Sequence, residues 1–271
     1  MLHILVKILI LILILLILLI LYYYKLNHNT NSFKPKIRKQ YESYSEIRKQ
    51  IINYDFFTPI YNIFTFWTDT NNLTDNRKKS LENLKNISEC NIILITLDIL
   101  NNYILPEYPL HEGYKYLSAT HKADYLRTYF MNFHGGGYSD IKRTSGSWKN
   151  SFNELYNSDY WICGYKEVEG GVAYTPLIEK YNELIGNGAY ICKPNTLLTN
   201  EWYNEMIVLM NEKLLQLKLN PATHPSDCKE INSLYPLEWN ELLGRIFHKI
   251  CYKYKHKLLN TLPISIFTDY R

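Results

Sequence analysis

The sequence predicts an α/β domain on a mostly parallel sheet, preceded by one N-terminal transmembrane helix. Three observations carry this. Residues Leu2 to Tyr24 are apolar except for His3 and Lys7. Ile60 to Trp67 and Asn91 to Thr96 are β-branched and aromatic runs flanking a stretch of helical spacing, and strand, helix, strand at that interval points to parallel pairing. The 271 residues are 46% hydrophobic and 15% aromatic, enough to bury one sizeable core and too much for a disordered chain.

The anchor is assigned to residues 1–24. Ile8 to Leu21 is an unbroken run of Ile and Leu, and at ~1.5 Å per residue the helix spans a hydrocarbon core of ~30 Å. The run ends in Tyr22, Tyr23, Tyr24 and Lys25 with no small-residue cleavage site, so the segment reads as uncleaved, its tyrosines suited to the headgroup interface. Residues 25–55 read as a basic polar stem. Between residues 25 and 50, Lys25, Lys34, Lys36, Arg38, Lys39, Arg48 and Lys49 face only Glu42 and Glu46, and this local excess accounts for the net charge of +4. Such a cluster fits an anionic membrane surface; it is not the basic face that nucleic acid requires. Lys and Arg following the anchor place the domain on the cytoplasmic side, whereas the acceptor sequences Asn72-Leu73-Thr74 and Asn86-Ile87-Ser88 point to the opposite side. Five single cysteines indicate buried thiols, with room for one disulfide and no zinc knuckle.

The globular domain is assigned to residues 56–271. Thr74 caps a helix over Asp75 to Lys85, and Asn91 to Thr96 follows as a second, buried strand. Ala123, Leu126, Phe130 and Phe133 mark the buried stripe of a helix that Gly135 to Gly137 end. Tyr138 to Lys142 is then a strand or loop. Tyr160 to Tyr165 and Ala189 to Cys192 read as strands with a loop at Gly170 and Gly171 between them. Asn200 to Leu219 reads as an amphipathic helix capped by Thr199 or Asn200. Pro236 opens a last helix with Trp239, Leu242, Leu243, Ile246 and Phe247 on its core face.

Chemistry concentrates in Ser118 to Lys142, SATHKADYLRTYFMNFHGGGYSDIK. Asp124 and Arg127 share one helix edge, a glycine turn follows, and Tyr138 and Asp140 stand at a strand end. Asp accepts from sugar hydroxyls, Arg offers a planar fork to oxygens, and glycine admits close backbone approach, a set suited to a polar, phosphorylated donor. The bland alternative is an ordinary helix with a salt bridge and a glycine cap.

This stretch resembles the glycosyltransferases that carry a DXD motif in a sugar-binding region, among them capsular polysaccharide synthesis proteins and initiating mannosyltransferases. The likeness rests on Asp124 and Arg127 three apart, then Gly135-Gly136-Gly137-Tyr138-Ser139-Asp140-Ile141-Lys142. It extends to Phe66-Trp67 and Asn187-Gly188-Ala189-Tyr190, over roughly residues 58 to 260. The resemblance implies a GT-A-like fold and transfer of a hexose, with retention, from a nucleoside diphosphate sugar to a glycan, lipid or protein hydroxyl. It implies donor contacts from Trp67, Asp124, Arg127, Tyr138 and Asp140, with Trp67 near the base; a core tryptophan is the alternative for Trp67. The catalytic pair is Asp140 and Lys142.

One departure matters more than the matches. The final motif Asp, whose family role implies Mn2+ or Mg2+, is Lys142 here. Three outcomes stay open: Lys142 neutralises the departing diphosphate, Asp140 holds a metal with help from His248 or Glu241, or the fold is an inactive membrane-tethered binding or structural protein. For His248 a carbonyl-capping role at a helix end is the alternative. His121 and His134 read as structural or surface groups, and Asp98 as a minor candidate at the sheet's carboxyl edge.

Overall fold

The first strand, β1 (Asn62–Trp67), shows why the chain folds as a layered α/β domain. Its side chains alternate between two cores: Ile63 faces one side of the sheet, and Phe64 and Phe66 face the other. The computed structural model describes residues 61–270, so the expected anchor, 1–24, and stem, 25–55, lie outside the described residues. Among the described residues no helix is long and apolar enough to cross a membrane.

The expected strand–helix–strand unit is present. Helix α1 (Asp75–Ile87) starts at Thr74, whose hydroxyl accepts from the Arg77 amide, and β2 (Asn91–Thr96) pairs parallel with β1 in register from Asn62–Asn91 to Trp67–Thr96. β2 was expected to be buried, yet it is the sheet's edge: Asn91 is exposed and Ile92 to Leu94 are half-buried.

Helix α2 (Ala119–Phe133) is capped by Ser118 and buries ten of its residues, Asp124 among them. It ends before Gly135 and Gly136, whose φ values of +65° and +83° are open to glycine at little cost. Gly136 opens β3 (Gly136–Ser139), parallel to β1 on the side away from β2. The short strand β4 (Arg143–Thr144) and helix α3 (Lys149–Tyr156) follow, then β5 (Ile162–Lys166) and β6 (Ile185–Cys192). The long helix α4 (Leu197–Leu219) begins one turn earlier than expected, because the chain extends the helix to a capping box formed by Thr196 and Thr199. Helix α5 (Gly244–Lys253), β7 (Leu258–Leu259) and β8 (Ser265–Ile266) close the described chain.

The six-stranded sheet has the order β2-β1-β3-β6-β5-β7. β6 is antiparallel to both β3 and β5, and the other pairings are parallel, which gives the mostly parallel sheet expected. β4 and β8 form a separate two-stranded ladder. One face packs Ile63, Leu84, Trp148, Phe152 and Ile191 into a core. The other packs Phe64 and Phe66 against Phe130, and Tyr190 against Trp202 and Phe247. The chain therefore leaves β1 for β2 on one side and comes back through α2 to β3 on the other. β1 and β3 are the switch point of the sheet, and the crevice beyond their carboxyl ends is where open α/β sheets bind ligands.

Candidate active site

At that crevice the structure opens a cleft of about 470 Å³, within the range of ~300–1,000 Å³ usual for small-molecule sites. β1 delivers Trp67 to it, α2 delivers Asp124 and Arg127, and the end of β3 delivers Tyr138, Asp140 and Lys142. All six residues singled out in the sequence for the donor and the chemistry thus line one cavity.

Asp140 is the hub. Its Oδ1 accepts from the Tyr138 hydroxyl at 2.5 Å and lies 3.3 Å from Arg127 Nη1; its Oδ2 accepts from Lys142 Nζ at 2.7 Å. Arg127 Nη2 donates to Asp124 Oδ1 at 2.7 Å and Nη1 to the Asn187 carbonyl at 3.1 Å. The guanidinium also lies 4.7 Å from the Tyr138 ring centre. The backbone fixes the hub from below, because the Asp140 amide donates to the Gly188 carbonyl on β6. A Cβ at Gly188 would sit 3.2 Å from the Tyr165 hydroxyl and 3.3 Å from Asp140 Oδ2, a tight fit that would press on the hub.

The two carboxyls are shifted in opposite directions. Burial raises the Asp140 pKa, but the Lys142 and Arg127 cations and the hydrogen bonds from Lys142 and Tyr138 outweigh it and hold the group at about 2. Asp124 is only 4% exposed, and burial pushes its pKa up against the opposing pull of Arg127, which it shares with Asp140. Burial raises the Tyr138 phenol as well, so it stays a donor to Asp140.

Lys142 is 8% exposed. Its ammonium lies 4.5 Å from the Phe267 ring centre and 4.9 Å from that of Tyr270, both just past β8. Trp67 donates its indole N–H to the Asn71 carbonyl at 2.7 Å, and the Arg77 guanidinium lies 5.3 Å from the Trp67 ring and 5.8 Å from the Tyr270 ring. Trp67 is therefore a cleft residue, not one of the fully buried core tryptophans. Arg77 and Tyr270 were not among the sequence candidates. Arg77 looks like one more surface cation of a lysine-rich helix, and Tyr270 reaches the cleft only through the β4–β8 pairing.

His248 is not brought to the cleft. It is fully buried, its Nδ1 accepts from the Ala173 amide at 3.0 Å, and its Nε2 faces Glu167 Oε2 at 3.1 Å. Both ring nitrogens are thus engaged away from Asp140, and the histidine fastens the Glu167–Ala173 loop to α5. Glu241 is likewise committed, to Lys213 and to the Glu238 amide. Nor does a helix start at Pro236. The Glu230 carboxylate takes the Trp239 amide and Glu241 takes that of Glu238, and these side-chain bonds stabilise turns up to Leu243. Trp239, expected in the core, is instead 40% exposed at the cleft wall. His121 and His134 are structural as expected, the first bonded to Ser118 and Tyr235, the second to the Tyr103 carbonyl. Asp98 is exposed outside the cleft.

Mn2+ or Mg2+ does not fit the residues present. Hard divalent cations need several oxygen ligands, whereas Asp140 already faces three cationic or hydroxyl donors and Lys142 places an ammonium beside it. Among the described residues no group of three or more His, Cys, Asp or Glu side chains is arranged to hold a metal.

All five cysteines are free thiols, and none is in the cleft. No protein-family model matches the chain, and no match is found among curated proteins. Among solved structures, the chain is similar to one titled "PaToxG Glycosyltransferase", with 16% identical residues over 80% of this chain and 80% of that one and a TM-score of 0.41.

Proposed function

We propose that the chain is a glycosyltransferase that moves a hexose, with retention, from a nucleoside diphosphate sugar to a hydroxyl of a glycan, lipid or protein acceptor. The observation that supports this most is the convergence of Asp124, Arg127, Tyr138, Asp140 and Lys142 in one cleft at the β1–β3 switch point, with Trp67 on its wall. Asp124 and Asp140 accept from donor hydroxyls, Arg127 holds both carboxylates in place, and Trp67 with Arg77 offers a flat, cationic surface to the base. In the transfer, the bond from the anomeric carbon to the diphosphate oxygen breaks and its electron pair leaves on that oxygen. A lone pair of the acceptor oxygen forms the new bond, and the acceptor proton passes to the departing diphosphate. The step needs no protein base, in keeping with a cleft whose one low-pKa carboxylate, Asp140, is already tied to three donors.

The test is incubation of the full chain with a panel of nucleotide sugars, following release of free sugar and nucleoside diphosphate. Slow donor hydrolysis is expected. Asp140→Asn should lower it by roughly 100-fold or more, as removal of one preorganised electrostatic group does, with the far-ultraviolet circular dichroism unchanged. Donor binding without turnover would instead assign the chain to the inactive, sugar- or nucleotide-binding reading. No binding and no turnover with any donor would sink both.

A further inference from the structure

The four charges nearest the cleft centre, those of Asp124, Asp140, Arg127 and Lys142, cancel. A divalent cation added to this set would leave it with two unbalanced positive charges, beside an Asp140 carboxylate that already faces three donors. An aspartate in place of Lys142 would leave the set two negative charges in excess, the deficit one divalent cation fills. From this geometry we propose that the Lys142 ammonium takes the place of a divalent cation on the donor diphosphate, so that the protein binds and uses its donor without metal. The proposal rests on the reading of the cleft as a nucleotide-sugar site.

Lys142 is built for such a task. The Arg127 guanidinium already serves Asp124, Asp140 and the Asn187 carbonyl, whereas Lys142 gives one of its three N–H donors to Asp140. The rings of Phe267 and Tyr270 hold the ammonium in place at the cleft wall. A cation fixed in advance costs no reorganisation when the diphosphate gains its extra negative charge, which is the condition under which electrostatic stabilisation is largest. A flexible surface lysine would lack that advantage.

Binding of UDP and GDP to the full chain, measured by calorimetry in a chelator and again in Mn2+, tests the proposal. For the unaltered protein the affinity of whichever nucleotide binds should agree within about twofold between the two conditions. Lys142→Met should weaken it by ~30-fold in both, the scale of one lost hydrogen bond to a charged group. Lys142→Asp should bind only in Mn2+. Lys142→Arg keeps the charge; binding by this variant, with an unchanged circular dichroism spectrum, shows that the Met variant lost the cation and not the fold. Loss of binding by the unaltered protein in chelator, or unweakened binding by Lys142→Met, would overturn metal independence while leaving the nucleotide-sugar reading standing. Failure of either nucleotide to bind under any condition would overturn both.

Discussion

Asp124 and Asp140 share Arg127, yet acid should act on them in opposite ways. Asp140 is held at about 2. Its contribution to stability is therefore complete above the ordinary carboxylate value of ~4 and is lost as the pH falls towards 2. Asp124 is raised, so it takes up a proton first on acidification, and between its raised value and ~4 that protonation favours the fold. The acid limb of kcat/KM should thus lie above pH ~4 and belong to Asp124. A pH profile of the slow residual turnover of Asp124→Asn, in which that limb is expected to vanish, checks this; a limb that stays in place would assign it to another group. These residues were legible in the sequence because their spacing is local: three along a helix, then two along a strand. Tyr270 and Arg77 were not, since Tyr270 meets its cleft neighbours across a long stretch of sequence and Arg77 is one cation among several on its helix.

At the scale of elements, the buried Glu167–His248 pair is a fastener between a loop and α5. His248→Ala leaves Glu167 and the Ala173 amide without their buried partner, and it should cost about 3 kcal/mol of stability, read as a lower urea midpoint at constant slope. The ratio of nucleotide affinity in Mn2+ to that in chelator should not move. A changed ratio would mean that the histidine acts on a metal after all. The sequence showed α1 and α2 well, because Thr74 and Ser118 cap runs of clear helical period. It misplaced the segment from Pro236 to Leu243, where the apolar spacing is helical but the chain forms turns whose Trp239 and Glu238 amides go to Glu230 and Glu241. Such side-chain bonds to amides three and nine residues away leave the apolar spacing unchanged, so periodicity alone does not reveal them.

For the whole molecule, the parallel half of the sheet follows from short crossovers, and the sequence carries it plainly. The reversal at β6 and the β4–β8 ladder have no local signal, yet they complete the cleft: β6 supplies the Asn187 and Gly188 carbonyls, and the irregular chain just after β8 carries Phe267 and Tyr270. Lys142 and its aromatic enclosure are about 125 residues apart along the chain, a long loop to close. That separation sets an order of events during folding. The carboxylates and Arg127 assemble within one helix–strand unit, whereas the enclosure of the ammonium waits for the most distant pairing, and contacts of large sequence separation form slowly. In refolding from denaturant, helical dichroism should therefore return before nucleotide affinity does. The interval between the two signals measures the time the chain spends folded but unable to grip its donor.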